Sequence, residues 1–163
     1  MRSVQTKARS AIVILSLYFD GACEPVNPGG IATAGWILKG DGGKVIDSAA
    51  LFVCEGVKAT NNVAEYCALG FALAKLHRIN WRGELLVMGD SQLVVNQVTK
   101  KWNCNKAHLR KLRDRCLELL AQVAMTWKAM WIPRIQNEEA DAESRHAYRE
   151  ATGKEFPVRS GRT

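Results

Sequence analysis

With 163 residues, 47% of them hydrophobic, the chain has material for one domain with its own core; disorder and two full domains are both excluded. Its formal charge of +7 suits a polyanionic partner, although solubility alone would also account for a basic surface. Five cysteines (23, 54, 67, 104 and 116) form no C-x-x-C pair, which leaves neither a disulfide framework nor a zinc site and implies free thiols in a reducing cytoplasm.

Met1 to Ser10 is a basic leader carrying Arg2, Lys7 and Arg9. The apolar run behind it is too short to span a membrane and leads into Asp20, where a cleaved signal would want small neutral residues. The expected layout is a flexible leader over 1–10, one domain over 11–152 and a loose polar tail over 153–163.

Within the domain, 12–20 reads as a buried strand, nearly continuous and β-branched. A Pro- and Gly-rich loop spans 24–30, and strands over 32–39 and 44–53 flank the turn G-D-G-G. A helix apolar almost all round follows from Thr60 or Asn61 to Arg78, with Cys67 and Phe71 expected inside. A fourth strand spans 84–89 and a short helix 91–99. An amphipathic helix over 106–123 carries Lys106, Arg110, Lys111, Arg113 and Arg115 on its polar face. A fifth strand spans 125–132, and a terminal helix spans 138–151. A right-handed crossover through the first helix lays strand four parallel to strand one, so that Asp20 and Asp90 become neighbours at the carboxyl ends where such sheets bind ligands.

Four acids stand at element ends: Asp20, Glu65, Asp90 and Asp141. Gathered in one cleft they repel, so the cluster must hold protons or cations. Hard oxygen donors favour magnesium or manganese over zinc. Four carboxylates suffice for two ions about 3.5–4 Å apart, bridged by Asp20, which is the equipment of metal-assisted phosphodiester hydrolysis. Each acid except Asp20 also has a plain local explanation. Glu65 forms a capping box with Asn62, Asp90 caps the helix after it, and Asp141 favours its helix N-terminus or pairs with Arg145.

The motifs D-G-A-C-E-P-V-N-P-G-G, T-N-N-V-A-E, G-D-S-Q and N-E-E-A-D, in that order, resemble the ribonuclease H type I family from about Leu17 to Tyr148. The resemblance implies an α/β, ribonuclease H-like fold, a five-stranded mixed sheet in order 3-2-1-4-5 flanked by helices. It implies endonucleolytic cleavage of the RNA strand of RNA–DNA hybrids, leaving 3′-hydroxyl and 5′-phosphate ends, with Asp20, Glu65, Asp90 and Asp141 as ligands of two Mg2+ or Mn2+ ions. By the same match Gly21, Asn61 and Gln92 read the hybrid's shallow groove, with Asn62 beside them, while Asn27 and Thr60 lie near the DNA-strand phosphate. A turn role for Asn27 and an N-cap role for Thr60 are the alternatives.

Two features depart from the family pattern. Where many members have a loop histidine, this chain has Arg134, which stays protonated and so can neutralise a departing phosphate but cannot act as a base. The chain is too short for the inserted basic handle; Lys100, Lys101 and Trp102 partly replace it, unless Trp102 belongs to the core. Competing functions are a related nuclease that also cuts double-stranded RNA, a non-catalytic nucleic-acid-binding module, and a domain of a reverse transcriptase. Met1 and the basic leader point to an independent chain, expected to be monomeric and cytoplasmic.

Overall fold

A computed structural model describes residues 11–158; the leader assigned to 1–10 lies outside them, as do 159–163. Five strands form one sheet: β1 (Ile14–Glu24), β2 (Ile31–Lys39), β3 (Val45–Glu55), β4 (Gly83–Gly89) and β5 (Ala124–Trp131). Their order is β3-β2-β1-β4-β5. β1 runs antiparallel to β2 and parallel to β4, and β4 runs parallel to β5. The helices are α1 (Asn61–Arg78), α2 (Gln92–Val98), α3 (Ala107–Val123) and α4 (Glu138–Thr152).

The period of two in β1 sorts its side chains between two layers. Leu15, Leu17 and Phe19 are buried in the main core with Leu69, Leu73 and Leu76 of α1 and Leu109, Leu119 and Leu120 of α3. Asp20, one step out of phase, faces α4 and reaches its Ser144.

Two sequence expectations change, and the open alternative for Trp102 closes. β1 does not stop at Asp20: its pairing with β4 ends at Phe19↔Gly89, but its pairing with β2 continues to Glu24↔Ile31. Asp20 is therefore the first residue beyond the parallel ladder, held on one side only. α1 is not buried all round, because the sheet and α3 cover two sides and leave Phe71 39% exposed and Cys67 half-buried. Trp102 is not core; it is 47% exposed in the segment before α3.

Two glycines set how closely the helices approach the sheet. A Cβ on Gly21 would lie 2.3 Å from the Ala64 carbonyl carbon and the Glu65 nitrogen. A Cβ on Gly35, the register partner of Asp20, would lie 2.4 Å from the Ala140 oxygen and the Ser144 nitrogen. Backbone cannot yield as a side-chain tip can, so Gly35→Ala must push α4 off the sheet. The expected cost is about 1–3 kcal/mol, read as a lowered denaturation midpoint. An unchanged midpoint would show that α4 shifts freely.

Candidate active site

β1, α1 and the end of β4 each deliver one carboxylate to the same point. Oxygens of Asp20, Glu65 and Asp90 all lie within 4.8 Å of one another. Asp141, from the first turn of α4, lines the same cleft of about 80 Å³, together with Gly21, Ala22, Asn61, Arg134 and Phe156. Asp141 is not in the tight group of three. Arg134 donates to its Oδ1 at 3.1 Å, and Arg145 pairs with its Oδ2 at 2.8 Å.

The cluster's charge is costly where it sits. Burial pushes the Asp20 carboxyl up to about 7; the Ser144 hydrogen bond opposes this, Asp90 and Asp141 add to it, and Arg134 opposes it. Glu65 is raised well above the usual carboxylate range, again first by burial, then by Asp20 and Asp90, with the Gly21 N–H and Arg134 pulling the other way. Glu65 Oε2 is buried with no hydrogen-bond partner. A buried carboxylate oxygen left unpaired beside two further acids is a ligand set without its counter-charge. All its donors are oxygens, so the residues present fit a hard divalent ion of the magnesium or manganese kind.

Two polar residues outside the four acids organise them, and sequence reasoning gave neither a role. Asn137 Nδ2 donates both to the Phe19 carbonyl (2.8 Å) and to Asp90 Oδ1 (3.2 Å), tying together the ends of the parallel strands β1 and β4. Ser144, fully buried, lies with its Oγ 2.6 Å from Asp20 Oδ2 and 2.9 Å from the Asp141 carbonyl. Its single proton can serve one of them. With Asp20 ionised, Ser144 donates to Asp20; with Asp20 protonated, the carboxyl donates to Ser144, which turns its own proton to Asp141. Asn137 falls in the N-E-E run and Ser144 three residues after Asp141, but neither position signals a partner in β1. Trp131 Nε1 also donates to the Asp90 carbonyl, at 3.1 Å.

The local explanations fare unevenly. Ser91, not Asp90, caps α2, accepting from Val94 N–H. Thr60 caps α1 through Val63 N–H, while Glu65 lies inside the cluster and forms no capping box. The Asp141–Arg145 pair is present although Asp141 also faces the cleft. Among the expected substrate contacts, Gly21 and Asn61 line the cleft, whereas Asn27, Thr60, Asn62 and Gln92 lie outside its lining. Asn61 Oδ1 already accepts from Cys23 N–H, and Asn27 Oδ1 from Asn61 N–H, so these two side chains also pin the end of β1 and the loop after it to the start of α1. Gly21 lacks a side chain because α1 packs against it, a sufficient reason without a close-lying ligand.

A five-stranded mixed sheet in this order, with carboxylates converging beyond the ends of its central parallel pair, defines a ribonuclease H-like protein. The reverse transcriptase-like family matches residues 18–147. Ribonuclease HI of Halobacterium salinarum is 41% identical over 135 residues, which is 82% of this chain and 64% of that protein, so the chain spans less than two thirds of this relative's length. The crystal structure of RNase H1 from the same archaeon superposes with a TM-score of 0.75 at 35% identity, covering 84% of this chain and 98% of that one. LC11-RNase H1, solved in complex with an RNA/DNA hybrid, gives a TM-score of 0.76 at 25% identity over 84% of this chain and 98% of its own. The chain belongs to the reverse transcriptase-like family, among its type 1 ribonucleases H.

Proposed function

We propose that the protein is a metal-dependent endoribonuclease that hydrolyses the RNA strand of RNA–DNA hybrids, leaving 3′-hydroxyl and 5′-phosphate ends. The observation that carries this reading is the close group of three carboxylates, Asp20 and Glu65 of them buried, with an unpartnered Glu65 oxygen. Asp20, Glu65 and Asp90 would hold the first of two magnesium or manganese ions, and Asp141 would complete the set for the second. Bound there, the ions supply a more acidic water and neutralise charge on the phosphate. The hybrid found on LC11-RNase H1 supports the choice of substrate.

The chain's own residues bind and orient. The acidic cleft is small; a cavity of about 290 Å³ between β3 and α1 contains none of the four clustered acids. A cleft of about 80 Å³ suits one phosphate of a backbone laid across it better than a whole enclosed small molecule. The Asn61 amide keeps its NH2 group for a groove-facing contact while its oxygen holds Cys23. Gln92, exposed at the start of α2, is placed for a second such contact. Trp102, 47% exposed, and its lysine neighbours would offer the DNA strand a contact surface. No helix among the described residues is long and apolar enough to cross a membrane. A monomer acting in the cytoplasm completes the proposal.

Arg134 is half exposed, and its side chain pairs with Asp141 at the cleft. Burial works against its charge, but Asp141, Asp20 and Asp90 together keep the guanidinium firmly protonated. Its part is to offset phosphate charge as it develops. Arg134→Ala is expected to lower kcat by about 10-fold or more while hybrid affinity changes less than about 3-fold. An unchanged kcat would make Arg134 a loop residue without a catalytic part. The function itself is tested with labelled RNA–DNA, RNA–RNA and DNA–DNA duplexes with and without magnesium. Cleavage confined to the hybrid supports the proposal, equal cleavage of RNA–RNA favours the broader nuclease, and no magnesium-dependent cleavage ends it.

A further inference from the structure

Asp141, Arg145 and Tyr148 form one stripe along α4, spaced four and three residues apart, and the stripe runs from the acidic cleft toward the helix C-terminus. Beyond α4 the polar tail was expected to be loose. Instead, after Gly153 (φ 66°) the chain places Phe156 back on this stripe. The Phe156 ring meets Tyr148 edge-on at 5.4 Å between centroids, and the Arg145 guanidinium carbon lies 4.9 Å from the Phe156 centroid. Phe156 also lines the acidic cleft itself.

These contacts form a relay. A guanidinium over an aromatic face loses freedom and gains electrostatic attraction. Arg145, so placed, has its Nε 2.8 Å from Asp141 Oδ2, an ion pair whose N–H is not aimed for a hydrogen bond, while Arg134 donates to Oδ1. Both oxygens of Asp141 are thus engaged by cationic side chains, and Asp141 stands outside the close group formed by Asp20, Glu65 and Asp90.

We propose that Phe156 is a positioning residue for Asp141: its ring holds Arg145 in its ion pair with Asp141 Oδ2, withholding that carboxylate from the second of the two cations. The proposal rests on the cation site described above. Affinity for the second cation is then set partly by Phe156, an uncharged residue of the C-terminal segment that offers no ligand atom.

The test is calorimetric titration of the cation-free full chain with Mn2+, with thermal midpoints measured alongside. Phe156→Ala changes no charge, so a change in cation affinity must come through position. Expected is Mn2+ binding tightened by about 3-fold, the scale of losing one half-exposed ion pair, with Phe156→Tyr restoring the original affinity. Unchanged or weakened binding in Phe156→Ala overturns the clamp, whatever happens to the thermal midpoint. Equal shifts in both variants overturn it as well, since Tyr keeps the ring. If the unsubstituted chain binds no Mn2+, the metal reading of the site fails and the clamp falls with it; if it binds and Phe156→Ala does not differ, the clamp alone fails.

Discussion

Asp20→Asn is expected to reduce hybrid cleavage by more than about 10³-fold while leaving the protein folded and, without divalent cations above pH 7, more stable. The two halves of this result have one cause. Asp20 is buried, faces Asp90 and Asp141, and takes up a proton near pH 7 rather than near 4. An amide of the same shape removes a charge that the surroundings disfavour and keeps an acceptor for Ser144, whose hydroxyl is fully buried. The carboxylate therefore costs stability in the cation-free protein, and the cost makes sense only if a cation offsets it. The measurements are initial cleavage rates in magnesium and denaturation midpoints in a chelator at pH 8. Retained full activity would remove Asp20 from the metal site. A lower midpoint together with lost activity would show that Asp20 serves the fold and leave its chemical part without support.

That a disfavoured charge falls on Asp20 could be partly anticipated, because an acid at the close of an apolar run has no local use. The strand arrangement was legible for a similar reason: hydrophobic runs, turn residues and the handedness of the crossover together allow few sheet orders. What sequence could not supply were contacts whose partners lie far apart along the chain. Ser144 meets Asp20 across 124 residues, and Asn137 meets the Phe19 carbonyl across 118. No spacing rule reaches that distance. Gly21 shows a subtler limit: its missing side chain was assigned to a ligand's approach, and the structure adds the backbone of α1 as a second neighbour that requires it. Phe156 was hidden by composition, one aromatic in a polar tail, and only the fold shows the stripe that receives it.

The local and functional accounts of an acid also need not compete. Asp141 pairs with Arg145 one turn along, as its spacing allows, and still faces the cleft. Both of its oxygens have a cationic neighbour, whereas Glu65 has an oxygen with no hydrogen-bond partner. The cluster is graded, from a carboxylate already neutralised by arginines to one left for an external cation.

This grading predicts how pH and divalent cations act together on stability. Asp20 and Glu65 are acids whose folded-state affinity for protons is raised, Asp20 from 3.8 to about 7. Between these values the folded protein binds more protons than the unfolded chain. Their contribution is therefore fully present below about pH 4 and is lost as pH rises toward 7, a change of up to roughly 4 kcal/mol for Asp20. Divalent cations bind the ionised forms and so compete with these protons. In chelator, the contribution of these two groups declines from pH 4.5 to 7.5, and Asp20→Asn flattens that decline. Millimolar Mn2+ should raise the midpoint clearly at pH 8 and little at pH 5, because binding stabilises only as far as protons have left the site. Titration near pH 6.5 in two buffers of different ionisation enthalpy should register proton release on Mn2+ binding. Equal stabilisation by Mn2+ at pH 5 and pH 8, without proton release, would place the cation somewhere other than these buried carboxylates.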